Sequence, residues 1–348
     1  MNRFPVDFSS DTQTRPTPGM RQAMAQAEVG DEQKREDPSV NRLQEMVADL
    51  LGKEAAVFLP TGTMCNLIAY AVHCRPGDEI IIEESSHAAQ FEGGGPAVHA
   101  RAQLRLLPTP NGIFTAEQVE QAVRRDDPHF PRSRLVSVEN THNIKGGHVW
   151  PWRAVEEVAA AARGKGLLLH LDGARLLNAV VASGVSARDY CRPFDSCWID
   201  FSKGLGCPVG AVLAGTREFI AQAWRYKLLF GGAMRQAGII AAAGVYALQH
   251  HVERLAEDHA RAKALARGLA ELPGIGVNPD DVETNIVIFD VGGTGIPRME
   301  LLERLAPYGV RFSPGLQPTQ LRAVTHLDIP DDGVARALTA WRAILKGR

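Results

Sequence analysis

Short apolar runs alternate with longer segments of helical apolar spacing along the first two thirds of the chain. A run such as Ala55–Leu59 fits a strand buried on both faces, and the segments between such runs fit helices that cover a sheet. The predicted strands are 55–59, 79–83, 103–107, 134–138, 167–171, 196–201 and 209–214. The predicted helices begin near residues 18, 41, 64, 88, 115 and 152. This order predicts an α/β fold in which a mostly parallel sheet is sandwiched by helices.

The pattern changes in the last third of the chain. The helices lengthen after Thr216, and an alanine-rich run over 237–248 fits a buried helix. A charged helix at 257–271 opens a region with predicted strands at 285–290, 309–313 and 320–325 and further helices at 298–306 and 331–345. We therefore expect a large domain with an N-terminal arm over residues 1–255 and a small α+β domain over 256–348.

A lysine follows one of the predicted strands. Lys203 comes two residues after the strand that ends at Phe201, and glycines at 204, 206 and 210 keep the next turn free of side chains. Such a lysine is expected to point into a cleft, where burial lowers the pKa of an amine and so favours imine chemistry. The alternative is a structural lysine held by a salt bridge.

An aspartate follows another predicted strand. Asp172 ends the run 167–171, and Arg175 comes three residues later. Because strands of one open sheet present their carboxyl ends at a common edge, Asp172 and Lys203 are expected to meet there. An imine-forming lysine and an aspartate that holds a protonated pyridine nitrogen are two anchors of a pyridoxal phosphate (PLP) site. A structural Asp–Lys pair remains the alternative.

Two further features lie at the same predicted edge. The turn of Thr61, Gly62 and Thr63 leads from a strand into a helix, whose N-terminus would favour a phosphate; simple helix capping is the alternative. His87 follows the strand 79–83, where a flat ring could stack on a flat cofactor. A histidine in a loop is otherwise a solvated surface residue.

Composition and charge narrow the classes of function. The chain has 348 residues, 45% hydrophobic and 22% charged, with a formal net charge of -2. This balance is ordinary for a globular protein and gives no electrostatic case for nucleic acid or an anionic membrane. The five cysteines show neither metal-ligand spacing nor a disulfide framework, so no metal site is expected. We expect no signal peptide and no membrane span, and therefore a location in the reducing cytoplasm.

Taken together, these segments closely resemble the low-specificity L-threonine aldolases, which are PLP enzymes of the aspartate-aminotransferase fold class. The resemblance covers nearly the whole chain. The matching segments are Ser10-Asp-Thr-Gln-Thr-Arg-Pro, Leu59-Pro-Thr-Gly-Thr, Glu139-Asn-Thr-His-Asn, Asp172-Gly-Ala-Arg, Ser202-Lys-Gly-Leu-Gly, Gly232-Ala-Met-Arg-Gln and Arg322-Ala-Val-Thr-His-Leu-Asp.

The resemblance implies a role for each residue singled out above. Lys203 would carry PLP as an imine, Asp172 would hold the ring nitrogen and His87 would stack on the ring. Gly62 and Thr63, with Thr61 beside them, would hold the phosphate, and the remaining contacts would come from two arginines. These are Arg235, from a neighbouring subunit, and Arg175, which faces both cofactor and substrate.

The implied substrate is a small molecule, a β-hydroxy-α-amino acid. Arg322, together with Arg175 and Ser10, would hold its carboxylate, and His129 would lie near its hydroxyl group. Lys34, at the substrate site, stands where the family has a tyrosine, and Arg35 stands where the family has the following glycine, so a ring wall of the site is replaced by a cation or rebuilt.

The implied reaction is the reversible retro-aldol cleavage of L-threonine, L-allo-threonine and related β-hydroxy-α-amino acids to glycine and an aldehyde. His87 or His129 would take the hydroxyl proton, and a homodimer or homotetramer would place the sites at a subunit interface. β-Elimination and transamination on the same scaffold are alternatives, as is a protein of this fold that binds without catalysis. A nicotinamide dehydrogenase is disfavoured because no Gly-x-Gly-x-x-Gly follows the early strand.

Overall fold

The computed structural model describes residues 4–346. Twelve strands occur in this part of the chain. They are β1 Val6–Asp7, β2 Ala55–Leu59, β3 Glu79–Glu83, β4 Gln103–Leu107, β5 Ser133–Glu139, β6 Leu168–Gly173, β7 Ser196–Asp200, β8 Ala211–Gly215, β9 Ile286–Asp290, β10 Val310–Arg311, β11 Ser313–Pro314 and β12 Gln320–Val324.

Thirteen α-helices lie in the same range. They are α1 Pro18–Ala25, α2 Pro38–Leu51, α3 Gly62–His73, α4 His87–Gln90, α5 Ala116–Ala122, α6 Trp152–Gly164, α7 Leu176–Ser183, α8 Ala187–Cys191, α9 Arg217–Leu229, α10 Gly238–His250, α11 Leu255–Ala270, α12 Arg298–Leu305 and α13 Gly333–Lys346. In the part of the chain covered by these elements, no helix is both long and apolar enough to cross a bilayer.

Seven strands form the large sheet, in the order β2-β8-β7-β6-β5-β3-β4. Strand β8 runs antiparallel to both of its neighbours, and the other pairs of adjacent strands are parallel. Helices cover both faces of the sheet, so that the inner strands β3, β7 and β8 are buried along their whole length. The predicted α/β class with a mostly parallel sheet is confirmed.

Local sequence explains where the helices start and stop. Asp37 caps α2 by accepting a hydrogen bond from the backbone of Val40 at 3.0 Å. The helix ends at Gly52, whose φ of 64° is the left-handed conformation that favours glycine. Helices α7 and α8, between β6 and β7, were not anticipated from the sequence.

The C-terminal region contains an antiparallel sheet of three strands, β11-β12-β9. One strand was predicted over 309–313, but two short strands occur there. Strand β10 pairs with β1 and strand β11 pairs with β12, because Phe312 between them turns into the core and stacks on Phe8 with ring centroids 5.3 Å apart. The N-terminal arm thus packs against the C-terminal region, and the domain boundary at residue 255 stays a prediction.

Candidate active site

A cavity of about 530 Å³ opens at the carboxyl ends of the central strands, beside the N-terminus of α3. Many of the predicted site residues line this cavity, although they lie far apart in sequence. They are Ser10, Thr61, Gly62, Thr63, His87, Asp172, Arg175, Lys203 and Arg322. Among the further lining residues are three acids and one amide that were not predicted as site residues: Glu92, Glu139, Asp200 and Asn143.

Lys203 is nearly buried, with 17% of its side chain exposed, and its Nζ lies 3.2 Å from Asp200 Oδ2. Burial alone would lower the pKa of Lys203, but the carboxylate of Asp200, with those of Asp172 and Asp11, raises this pKa above its ordinary value. The expectation of a lowered lysine pKa was therefore wrong. The physical reason is the buried carboxylate of Asp200, which the prediction did not take into account.

Asp172 is buried at the end of β6. Its Oδ2 accepts a hydrogen bond from Asn66 Nδ2 at 2.8 Å, and its Oδ1 accepts one from the backbone of Ala174 at 3.0 Å. Burial, reinforced by the negative charges of Glu139 and Glu92, raises the pKa of Asp172 to about 7. The carboxyl group is thus held in an environment that would favour a cationic partner.

Asn66 links Asp172 to a second buried acid. Its Nδ2 also donates to Glu92 Oε1 at 2.9 Å, and Glu92 Oε1 lies 2.9 Å from His87 Nδ1. The hydrogen bond with Glu92 raises the pKa of His87 above its ordinary value. Asn66 could have been found from sequence, because it lies one helical turn after Gly62 and so faces the same side of α3.

The start of α3 leaves no room for a side chain at Gly62. A Cβ atom there would lie 2.4 Å from the Trp198 ring and 2.9 Å from Asp200 Oδ2. Thr61 caps the helix, accepting from the backbone of Met64 at 3.2 Å. Backbone amides at such an N-terminus form an anion site.

Two arginines also line the cavity, and both donate to Asn143 Oδ1: Arg175 at 3.2 Å and Arg322 at 2.6 Å. Arg175 is also held by Asp11 through a pair of hydrogen bonds of 2.6 and 2.7 Å. The guanidinium of Arg322 is less completely hydrogen-bonded, since its buried Nε has no hydrogen-bond partner among the described residues. Burial and the like charge of Arg175 lower the pKa of Arg322 to about 10, which marks it as the guanidinium in need of an anion.

Three predicted residues lie outside the cavity. His129 is 89% exposed and contacts Asp127 at 2.8 Å. Arg235 is 61% exposed and contacts Asp31 at 3.0 Å, and Lys34 is exposed at the end of a short turn. The roles given to them stay predictions, and for Arg235 the predicted site is that of a neighbouring subunit.

This architecture defines a class of protein. The aspartate aminotransferase of Rhizobium meliloti matches with a TM-score of 0.71 at 16% identity, covering 98% of this chain and 91% of that chain. A threonine aldolase of Leishmania major matches with a TM-score of 0.84 at 20% identity, covering 98% and 99%. The chain has the fold of the aspartate-aminotransferase class.

Sequence comparison gives the family. The chain belongs to the beta-eliminating lyase family, whose profile matches residues 7–291. A relative in Escherichia coli K12, the low specificity L-threonine aldolase, is 41% identical over 341 residues, which are 98% of this chain and 99% of that protein. The resemblance predicted from the motifs is confirmed.

Proposed function

We propose that the protein is a PLP-dependent lyase that cleaves L-threonine, L-allo-threonine and related β-hydroxy-α-amino acids, reversibly, to glycine and an aldehyde. The observation that carries this proposal is one cavity shared by Lys203, Asp172 and Arg322. The likeness to an aldolase over nearly the full length of both chains supports it.

The residues of the cavity fit a cofactor with an aldehyde, a ring nitrogen and a phosphate. Lys203 offers the amine, and Asp172, with its pKa near 7, offers a carboxyl group suited to a cationic ring nitrogen. Thr61, Gly62 and Thr63 offer a helix N-terminus for the phosphate, and Gly62 leaves the space that a Cβ would fill. When bound, PLP supplies an electron sink for the charge left on Cα as a bond to that atom breaks.

The substrate carboxylate is assigned to Arg322. Its Nε is buried without a partner among the described residues, whereas Arg175 already holds Asp11 through two hydrogen bonds. A carboxylate at Arg322 would fill the unmet hydrogen-bonding capacity of the guanidinium. Holding the carboxylate restricts rotation about the bond between Cα and the amino nitrogen. It thereby decides which of the other Cα bonds is aligned for cleavage, here the bond to Cβ.

The proton of the β-hydroxyl group must leave as the Cα–Cβ bond breaks and the aldehyde forms. His87 lines the cavity, whereas His129 is exposed and lies outside it, so we favour His87 as the base. Glu92 engages Nδ1 of His87, which leaves proton exchange to Nε2. A proton returned to Cα completes glycine.

The assembly is proposed to be a homodimer or homotetramer with sites at the interface. Two observations support a partner subunit: Arg235 lies outside the cavity of its own chain, and large apolar residues such as Val98, at 66% exposure, and Leu229, at 73%, face solvent. All five cysteines are free and buried, which agrees with the proposed location in a reducing cytoplasm.

A product assay over several substrates tests the reaction. The purified protein with added PLP is incubated with L-threonine, L-allo-threonine and L-β-phenylserine, and with D-threonine as the control of opposite Cα configuration. We expect glycine and the matching aldehyde in equal amounts from the L substrates. Ammonia with a 2-oxo acid would indicate β-elimination instead, and a 2-oxo acid without ammonia would indicate transamination; either result would overturn the proposal.

A further inference from the structure

Asp200 is a buried acid of the cavity that has no part in the proposed reaction as described so far. It ends β7, and its Oδ1 accepts hydrogen bonds from the backbone and the hydroxyl group of Ser202 at 2.7 and 2.6 Å. These two bonds fix the carboxylate, so that its other oxygen, Oδ2, is directed to Lys203 Nζ at 3.2 Å. The orientation of Asp200 is thus set independently of the lysine.

Several other charges face Lys203, from different parts of the fold. Asp172 on β6 and Asp11 in the N-terminal segment attract its ammonium group, and Arg175 repels it. The Trp198 ring lies 5.7 Å from Nζ. Among the described residues, Asp200 is the one acid within salt-bridge distance of Nζ, and it makes the largest attractive contribution to the charge state of the lysine.

We propose that Asp200 is a positioning residue, which holds Lys203 as an ammonium ion whenever the lysine is not covalently engaged and so controls when this amine can react with an aldehyde. The part that concerns an aldehyde rests on the proposed function. The part that concerns the charge of Lys203 rests on the contact alone.

The consequence for attachment follows from the chemistry of the amine. An ammonium group has no lone pair, so one proton must first pass from Nζ to Asp200 Oδ2 or to water. The nitrogen then bonds to the aldehyde carbon, and its two remaining protons leave with the carbonyl oxygen as water when the C=N bond forms. Asp200 therefore slows attachment near neutral pH, because it stabilises the ammonium form that must first lose this proton.

The size of the effect can be bounded. An opposite charge at this distance shifts a pKa by about 1–3 units, and each unit is a tenfold change in the neutral fraction of the amine. Asp200→Asn keeps the shape of the side chain and its contact with Ser202 Oγ while removing the charge. We expect this variant to raise the reactivity of Lys203 at a given pH below its pKa by about 10-fold or more.

Competitive labelling of the full-length chain measures this directly. PLP is first removed with hydroxylamine and dialysis, trace acetic anhydride is applied over a series of pH values, and the Lys203 peptide is quantified by mass spectrometry against the peptide of the exposed Lys165. In Asp200→Asn, the labelling midpoint of Lys203 is expected at a lower pH than in the unmodified sequence. Ser202→Ala, which loosens Asp200 without removing it, is expected to give a smaller shift in the same direction.

Glu92→Gln is the matched control, because it removes another buried carboxylate of the cavity that does not contact Lys203. Its labelling midpoint is expected to stay unchanged. The proposal is overturned if Asp200→Asn labels as the unmodified chain does, or if Glu92→Gln shifts the midpoint equally. If Asp200→Asn does not fold, the labelling midpoint of Lys203 in Ser202→Ala still tests the proposal. Labelling needs neither cofactor nor substrate, so a failed product assay does not affect the labelling result. A failed labelling experiment likewise leaves the proposed reaction untouched.

Discussion

Lys203→Ala is expected to reduce aldehyde formation from L-threonine by at least about 1,000-fold and to remove the visible absorption of the bound cofactor. Within the described part of the chain, Lys203 is the one lysine that lines the cavity, so no second amine is placed to replace it. The measurement is the initial rate of aldehyde release at saturating PLP, with an absorption spectrum of the same preparation.

A lysine outside the cavity serves as the control for this variant. Lys53 donates to the backbone carbonyl of Phe194 at 2.6 Å, and Lys53→Ala is expected to retain the activity. If the two variants melt at the same temperature, the lost activity of Lys203→Ala is due to the missing amine and not to unfolding. A Lys203→Ala protein that still releases aldehyde at the original rate would remove Lys203 from the mechanism.

The same variant also tests the shared site. If Arg235 serves the cavity of a neighbouring subunit, a hybrid of a Lys203→Ala chain and an Arg235→Ala chain contains one site with both residues intact. Each variant alone is expected to be nearly inactive, and mixing the two proteins after mild dissociation is then expected to restore part of the activity. No recovery in a mixture shown to contain hybrids would place Arg235 outside the site.

Asp172→Asn is expected to have two opposite effects. Activity falls by about 100-fold or more, because an amide lacks the negative charge with which the carboxylate keeps a ring nitrogen protonated. The cofactor-free protein, in contrast, becomes more stable near pH 8, because the variant removes a buried charge that faces Glu139 and Glu92. Thermal melting of the cofactor-free proteins measures the second effect.

The sign of the pH dependence follows from the raised pKa of Asp172, about 7 in the folded chain against an ordinary 3.8. Folding favours the protonated acid, so its contribution to stability is full below about pH 4 and is lost as the pH rises through 7. The difference between variant and original is therefore near zero in acid and grows to as much as about 4 kcal/mol above pH 7.

Asp78→Asn provides a control of opposite sign. Arg132 donates to both carboxylate oxygens of Asp78, at 3.0 and 2.8 Å, and this pairing lowers the pKa of Asp78 against the effect of burial. Its replacement is expected to destabilise the chain at neutral pH. An Asp172→Asn protein that melts below the original at pH 8 would contradict the electrostatic interpretation of the site.

Much of this site could be predicted from the sequence, because its functional residues come shortly after predicted strands. Asp172 follows an apolar run, Lys203 follows another, and parallel strands bring such ends to one edge. Gly62 was recognisable from the strand, turn and helix pattern around it. These signals are local, so a single sequence contains them.

The residues that escaped prediction depend on contacts between distant segments. Asp11 holds Arg175 across 164 positions, and β1 pairs with β10 over two residues only, too few for any periodicity. Asp200 had a local signal, since alternation along β7 places it on the same face as Trp198. The predicted strand ran to Phe201 and so included Asp200 within an apolar run, without a role.

The most direct test of Lys203 as the cofactor-bearing residue is borohydride reduction of the protein with bound PLP, followed by peptide mapping. Reduction converts the bond between lysine and cofactor into a stable one, which mass spectrometry locates on a single peptide. We predict one cofactor per chain, attached to Lys203. A reduced cofactor on another lysine, or none on any peptide of a protein that still cleaves L-threonine, would contradict the assignment.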